Sequence, residues 1–273
     1  MRYTHAIVAR VPSQVGMNAG PGSLGKGVDL SRARKNQEAF GEALQEAGVS
    51  LIELPPEENG QASTLFVEDC AVVVNGTALI TRPSHPSRRE EIAAILREYG
   101  LRVHETDPDN KKVMLEGSDV LFTGREFFVG LTKWTNEAGA REVAVCFPEF
   151  PVIPIKVTGQ KHLKHYVSLA STDVLAVGNS REATNVLKRI EREATYRYST
   201  LTLPHDEAAN CLNVNGTVLF RGEFQNCDRK FLTLQDCQDH PPSAVCLSEL
   251  CKLGGLLSQH CILFRRFRLP KSL

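Results

Sequence analysis

Leu115-Glu116-Gly117-Ser118-Asp119-Val120-Leu121-Phe122-Thr123-Gly124-Arg125-Glu126-Phe127-Phe128-Val129-Gly130 reads as a hairpin with acids at its mouth. Two short apolar runs, Val120–Phe122 and Phe127–Val129, flank the link Thr123-Gly124-Arg125-Glu126. A glycine-bearing turn between β-prone runs is a hairpin signal. Glu116 and Asp119 stand just ahead of the first run, with Gly117 between them. Acids at the mouth of a buried hairpin must find partners or shift their pKa, which makes both of them site candidates.

The rest of the chain repeats this stretch. Thr77-Ala78-Leu79-Ile80, Asp119-Val120-Leu121-Phe122, Asp173-Val174-Leu175-Ala176, Thr217-Val218-Leu219-Phe220 and Cys261-Ile262-Leu263-Phe264 are variants of one pattern. Their leucines lie 42, 54, 44 and 44 residues apart. A recurrence of this length marks propellers and arrays. Helical stretches intervene, so each unit reads as β–β–α–β. Five such units closing about one axis would carry distant residues to a common pocket. The predicted fold is a five-unit, pseudo-symmetric α/β propeller of ββαβ modules, a single domain over residues 1–273.

Local signals place the elements. Strands are expected at His5–Val11, Val49–Leu54, Cys70–Val74, Thr77–Ile80, Leu101–His104, Val152–Val157, Val174–Val177, Thr200–Leu203, Ala244–Leu247 and Ile262–Phe264. Asn75-Gly76 is a strong hairpin turn signal, and Asn215-Gly216 closes a second such hairpin over Cys211–Phe220. Ser31 can cap a helix running to Ala47, with Gly48 as its stop. Ser87-Arg88-Arg89-Glu90 is a capping box opening a helix that ends near Tyr99-Gly100. Further helices are expected at Asn136–Val145, Ser180–Arg192 and Arg229–Asp236, and the glycine-rich Met17–Gly27 reads as a loop.

Bulk properties exclude several function classes. The chain has 273 residues with 32 basic and 32 acidic side chains, a balance that argues against nucleic acid or an anionic membrane as partner. Met1-Arg2-Tyr3-Thr4-His5-Ala6 has no apolar core for a signal peptide, and no run approaches membrane-spanning length. A cytoplasmic location is expected, with the eight cysteines reduced. Gly20-Pro21-Gly22-Ser23-Leu24-Gly25 lacks the Lys-Ser/Thr ending of a phosphate loop, and no cofactor is expected.

The chemistry-bearing residues fall at unit boundaries. Glu68 and Asp69 precede one hairpin, Glu116 and Asp119 the next, and His162 lies in the following link. Cys261 comes next to His260 in the last unit. Thiol, histidine and carboxylate together are the parts of an activated nucleophile. The competing constellation is zinc, since Cys237, His240, Cys246, Cys251, His260 and Cys261 lie close in sequence. They contain no Cys-x-x-Cys pair and match no finger or ribbon spacing, so no metal is expected.

Leu65-Phe66-Val67-Glu68-Asp69, Ala78-Leu79-Ile80-Thr81-Arg82-Pro83, the run from Asp119 to Gly130 and His162-Leu163-Lys164 resemble the dimethylarginine dimethylaminohydrolase family of the pentein, or guanidine-modifying, superfamily. The resemblance runs over essentially the whole chain and is densest from Phe66 to Asn136. It implies a five-unit α/β propeller and cofactor-free hydrolysis of N-omega-methylated arginine to citrulline and a methylamine, which relieves inhibition of nitric oxide synthesis. It implies a covalent cysteine-thiouronium intermediate, with His162 as acid and base and Glu116 as its partner. Glu68 and Asp69 would bind the guanidinium and Arg88 the substrate carboxylate. It places Ser63, Trp134, Gly20 and Leu253 at further substrate-binding positions. The implied partner is a small-molecule methylarginine, and the chain is expected to be a monomer or weak homodimer.

The chain departs from the family pattern at several of these positions. Ser63 stands for an aspartate, Trp134 for a second arginine, His165 for a serine and Gly20 for a loop leucine. After Gly255-Leu256-Leu257-Ser258, Gln259 stands at the nucleophile's position and the cysteine follows two residues later. A slip of two along a strand keeps the same face. It moves the thiol roughly 6–7 Å, since a strand advances about 3.3 Å per residue. Cys261, His162 and Glu116 form the expected chemical group. The alternative is a non-catalytic relative that keeps the fold and binds a ligand or a protein.

Overall fold

The computed structural model describes residues 2–12, 27–57, 61–85, 88–106, 110 and 112–267. Among them, five three-stranded sheets repeat one motif. An antiparallel hairpin supplies the first and central strands, and a helix then leads to a third strand parallel to the central one. A hairpin needs only a tight turn, whereas a parallel pair needs a crossover, and that rule fixes the ββαβ order.

Four units run consecutively. The first is β3 (Ala71–Val74), β4 (Thr77–Ile80), α2 (Arg89–Glu98) and β5 (Arg102–Glu105). The second is β6 (Val120–Phe122), β7 (Phe127–Leu131), α3 (Glu137–Cys146) and β8 (Val152–Lys156). The third is β9 (Val167–Ser171), β10 (Val174–Val177), α5 (Arg181–Glu193) and β11 (Ser199–Thr202). The fourth is β12 (Leu212–Val214), β13 (Thr217–Arg221), α7 (Cys227–Phe231) and β14 (Ser243–Val245). The fifth unit joins both ends of the chain: β15 (Ile262–Phe264) pairs antiparallel with β1 (His5–Ala9), which α1 (Leu30–Glu46) connects to β2 (Ser50–Leu54). Short helices α4 (Leu163–Tyr166) and α6 (Asp206–Ala209) precede β9 and β12.

Register explains the uneven leucine spacing. Leu79, Leu175 and Leu219 lie in central strands, opposite Val72, Leu169 and Leu212. Leu121 and Leu263 lie instead in first strands, opposite Phe128 and Ala6. The repeat in the sequence therefore mixes two equivalent positions. Asn75-Gly76 and Asn215-Gly216 take φ of 48°, 80°, 54° and 98°, the left-handed pairs that match the twist of a two-residue hairpin. Helices cover the sheets through apolar stripes, such as Val186 and Ile190 of α5 against Leu175 and Val177.

Several local expectations shift. The cap of α1 is Asp29, whose carboxylate accepts from the Ser31 and Arg32 amides at 3.0 and 3.1 Å; the helix begins before Ser31. The expected Arg229–Asp236 helix is a short helix ending at Phe231 and a separate 3-10 turn, Gln235–Gln238. Strand β9 was not expected, because Ser168 and Ser171 interrupt its apolar run; Ser168 Oγ donates to the Ala209 carbonyl. Ser87 and most of Met17–Gly27 lie outside the described residues. No described helix is long and apolar enough to cross a membrane.

Candidate functional site

The residue pairs singled out in the sequence occupy one structural position, the short turn entering the first strand of each unit. Glu68 and Asp69 enter β3, Glu116 to Asp119 enter β6, and His162 and Lys164 enter β9. Asn210 enters β12, and Ser258 and Gln259 enter β15. The segments Val67–Cys70, Gly117–Asp119 and Ser258–His260 are 3-10 turns, which turn side chains sharply at the strand mouth. All five units thereby deliver polar groups to one end of the axis.

Gly117 shows how tightly these turns meet. A Cβ there would stand 1.9 Å from the Glu68 carbonyl oxygen, so a side chain would separate the two acidic turns. With glycine in place, the Ser118 amide donates to Asp69 Oδ1 at 3.1 Å, and the Ser118 hydroxyl donates to the same oxygen.

His162 sits at the centre, in the extended conformation that starts α4. Its Nδ1 lies 3.1 Å from Asp119 Oδ2 and its Nε2 lies 3.5 Å from Glu116 Oε2. The Nδ1 contact is an ion pair bent away from a linear hydrogen bond. Asp119 is fully buried, accepting from the Leu163 amide at 2.9 Å and the Thr132 hydroxyl at 2.8 Å. It is therefore the nearer of the two acids that hold the ring, a place the sequence reading gave to Glu116 alone. Glu116 Oε1 accepts from the amide and hydroxyl of Ser84 at 2.9 and 2.6 Å.

Electrostatics follow from this crowding. Burial pushes Glu116 up to about 7, with the Asp69 charge adding to the rise and Ser84 opposing it. Burial likewise raises Asp69, against the pull of His162 and Ser118. At His162 burial acts downward, but Asp119, Asp69 and Glu116 outweigh it and the ring's pKa is raised. Acids near a buried imidazole hold it in its charged form.

The outer residues fall differently. Trp134 stacks on His162 with ring centres 4.0 Å apart and planes at 24°, while Lys133 Nζ lies 4.2 Å from the indole centre. Arg88 is committed to Glu91 at 2.7 Å and to the Pro55 carbonyl at 2.6 Å. Ser63 lies half-buried in the 3-10 turn Ala62–Leu65. Leu253 is fully buried in the apolar core, and Gly20 lies outside the described residues.

Glu68 and Cys261 differ most from expectation. Glu68 Oε1 pairs with Lys164 Nζ at 2.6 Å and Oε2 accepts from Ser258 Oγ at 2.7 Å, so both oxygens already hold partners. Gln259 reaches the carboxylates: its Nε2 donates to Asp69 Oδ2 at 2.7 Å and lies 3.2 Å from Ser118 Oγ. Cys261, past the turn, lines a channel of about 170 Å³ with the first strands, Glu68, Lys164 and Ser258. His162, Glu116 and Asp69 are not part of that lining. The structure thus does not bring Cys261 into the His162 cluster. Burial, reinforced by the Glu68 charge, drives its thiol pKa far upward and opposes thiolate formation.

Among the described residues, the metal-type donors that converge within 4.8 Å are Asp69, Glu116 and His162. Among the described residues, the cysteines and histidines of the C-terminal third form no such group. Lys164, Ser118, Asn210 and Ser258 are the site residues that sequence reasoning missed. Lys164 and Ser118 sit within motifs already singled out, whereas Asn210 announces itself only by its place before β12.

Comparison with known proteins fits this geometry. No sequence-family profile matches the chain. A human protein described as putative hydrolase DDAH2 is 37% identical over 96% of this chain and 94% of its own length, and the bovine counterpart is 36% identical. The chain belongs to the dimethylarginine dimethylaminohydrolase family. A Pseudomonas aeruginosa protein named N(G),N(G)-dimethylarginine dimethylaminohydrolase is 28% identical over 84% of this chain and 88% of its own. The solved structure of a cysteine-to-serine variant of dimethylarginine dimethylaminohydrolase from that bacterium, complexed with citrulline, superposes with a TM-score of 0.77. It is 22% identical and covers 97% of this chain and 100% of its own. The N-terminal domain of ArgZ, a cyanobacterial arginine dihydrolase, superposes at 0.75 with 16% identity and 96% and 98% coverage. The five-unit α/β propeller expected from the repeat, and the pentein fold implied by the resemblance, is the observed one.

Proposed function

We propose that this chain is an amidine hydrolase of the dimethylarginine dimethylaminohydrolase type, breaking a C–N bond of a methylated arginine to leave citrulline and a methylamine. The observation that carries the reading is His162 held by Asp119 and Glu116 beside Asp69, all at one end of a five-unit axis. A guanidinium is planar and cationic, and the carboxylates supply its counter-charge. An imidazole with a raised pKa is loaded with the proton that a departing amine needs, and once neutral it activates water. In the full proposal the thiolate of Cys261 attacks the guanidinium carbon, and the C–N bond to the methylamine breaks as His162 protonates that nitrogen. Water activated by the neutral His162 then hydrolyses the covalent thiouronium to citrulline and the free thiol. Removal of methylated arginines in the cytoplasm would relieve inhibition of nitric oxide synthesis. For Cys261 to serve, the Ser258–His260 turn must rearrange.

A second reading, binding without turnover, is favoured by one observation: Gln259 rather than a thiol touches Asp69. Incubation with asymmetric dimethylarginine, followed by assay of citrulline and dimethylamine, separates the two. Hydrolysis predicts both products from wild type and their loss in Cys261→Ser. No product from wild type, with product from Gln259→Cys, would establish the second reading.

A further inference from the structure

Asp69 is a buried acid beside His162, and its two oxygens are already occupied. Oδ1 takes the amide and hydroxyl of Ser118, while Oδ2 takes the carboxamide of Gln259 at 2.7 Å. Gln259 is itself 3% exposed and held at both ends, because its Oε1 accepts from the Leu256 amide at 2.7 Å. A carboxamide is planar, presents two N–H donors on one nitrogen, and is neutral. It copies one edge of a guanidinium without the charge.

We propose that Gln259 is an internal ligand of the carboxylate seat, competing with the guanidinium of an incoming substrate for Asp69. The inference rests on the reading that this cluster receives a guanidinium. Its physical basis is an exchange. For the cation to take the Gln259 place on Asp69 Oδ2 the amide must leave, so each such binding event forfeits three buried hydrogen bonds: Gln259 to Asp69, Gln259 to Ser118 Oγ, and the Leu256 amide to Gln259. Hydrogen bonds to a charged acceptor are stronger than neutral ones, which makes the displaced contact a substantial counterweight to the new one. Gln259 is in this sense an affinity-setting residue of the seat, whichever group later attacks the substrate.

The seat also retains an alternative partner network when Gln259 swings away. Ser118 still satisfies Asp69 Oδ1, and the Ser258 amide stays bonded to Asn210 Oδ1 at 2.9 Å, so the turn's entry is anchored independently of the Gln259 side chain. Truncating Gln259 therefore opens the seat without releasing the turn.

Calorimetric titration of the full chain with asymmetric dimethylarginine tests this in wild type, Gln259→Ala, Gln259→Ser and Asp69→Asn. Both Gln259 variants should bind about tenfold tighter than wild type, a gain of about 1.4 kcal/mol. Asp69→Asn should bind more weakly than wild type. Their unliganded melting temperatures should fall, because Asp69 loses a donor, while the ligand-induced rise in melting temperature grows. Equal or weaker binding by both folded Gln259 variants would overturn the inference. Tighter binding without release of dimethylamine would leave it standing and overturn hydrolysis alone. No binding by any of the four proteins would overturn the carboxylate seat and this inference with it.

Discussion

The end of the axis at His162 and the channel holding Cys261 are built by neighbouring residues of the same five strands, yet they are chemically opposed. At the first, every buried group meets a charge or a donor: His162 has Asp119 and Glu116, Asp69 has Ser118 and Gln259, and Glu68 has Lys164 and Ser258. In the second, the channel that Cys261 lines is walled by Val72, Val74, Leu121, Leu212 and Ile262, and it meets the first region at Glu68, Lys164 and Ser258. Turn residues can satisfy side chains through freed backbone amides, whereas strand residues spend theirs on the ladder. A displacement of two residues therefore carries a thiol from an activating setting to one that keeps it protonated.

The largest effect is expected where the first region is broken. Asp119→Ala removes the acid nearest His162 Nδ1 and also leaves the Leu163 amide unpaired. Losing one partner of a buried pair of this kind destabilises by about 3 kcal/mol. Urea unfolding should register that loss, and the His162 pKa followed by NMR should drop because its strongest upward influence is gone. An unchanged His162 titration would show that Asp119 does not hold the ring's charge.

The contrast between the regions also shows how much could be read beforehand. The hairpin Val120–Phe122 and Phe127–Leu131, the two Asn-Gly turns and the five-fold repeat were legible because periodicity and turn chemistry are local. Glu68, Asp69, Glu116 and His162 were legible as strand-mouth residues of successive units. The partners were not. That Lys164 neutralises Glu68, or that Trp134 stacks on His162, depends on closure of the ring, which brings together residues from different units. Asp119 stood as a site candidate without a partner, because its role is set by an imidazole more than forty residues away. Cys261 was the reverse error: the two-residue slip assumed a strand, but Ser258–His260 is a 3-10 turn, so Gln259 meets Asp69 while Cys261 lines the channel.

An intermediate effect is expected from pH. The folded-state pKa of Glu116 is raised to about 7 from its ordinary 4.5, and that of His162 is raised above its ordinary 6.5. For a raised pKa the folded state binds more protons than the unfolded one, so stability is fully present below the unfolded value and is lost as pH climbs through the folded value. Both groups thus act in the same direction. Their joint contribution to the unfolding free energy should decline from about pH 4.5 through pH 7 and beyond, against the opposite contribution of His5, His165 and His260, whose pKa values burial lowers. Glu116→Gln should flatten the part of that decline below pH 7 while leaving the His162 part in place. A Glu116→Gln stability profile identical to that of wild type would contradict the picture of acids crowded beyond their available cations.

The smallest effect, and the one that probes the channel itself, concerns thiol chemistry. Cys246 is exposed, whereas Cys261 is buried, with its pKa raised by burial and by the Glu68 charge, and Lys164 only partly opposing. The thiolate is the reactive species, so alkylation of native protein by iodoacetamide at pH 8 should modify Cys246 well before Cys261, with mass spectrometry reading the order. Lys164→Met removes a cation that favours the Cys261 thiolate and should slow that site further. Fast labelling of Cys261 in wild type would mean that the Ser258–His260 turn opens readily in solution, and the separation between the two regions would then be conformational rather than fixed.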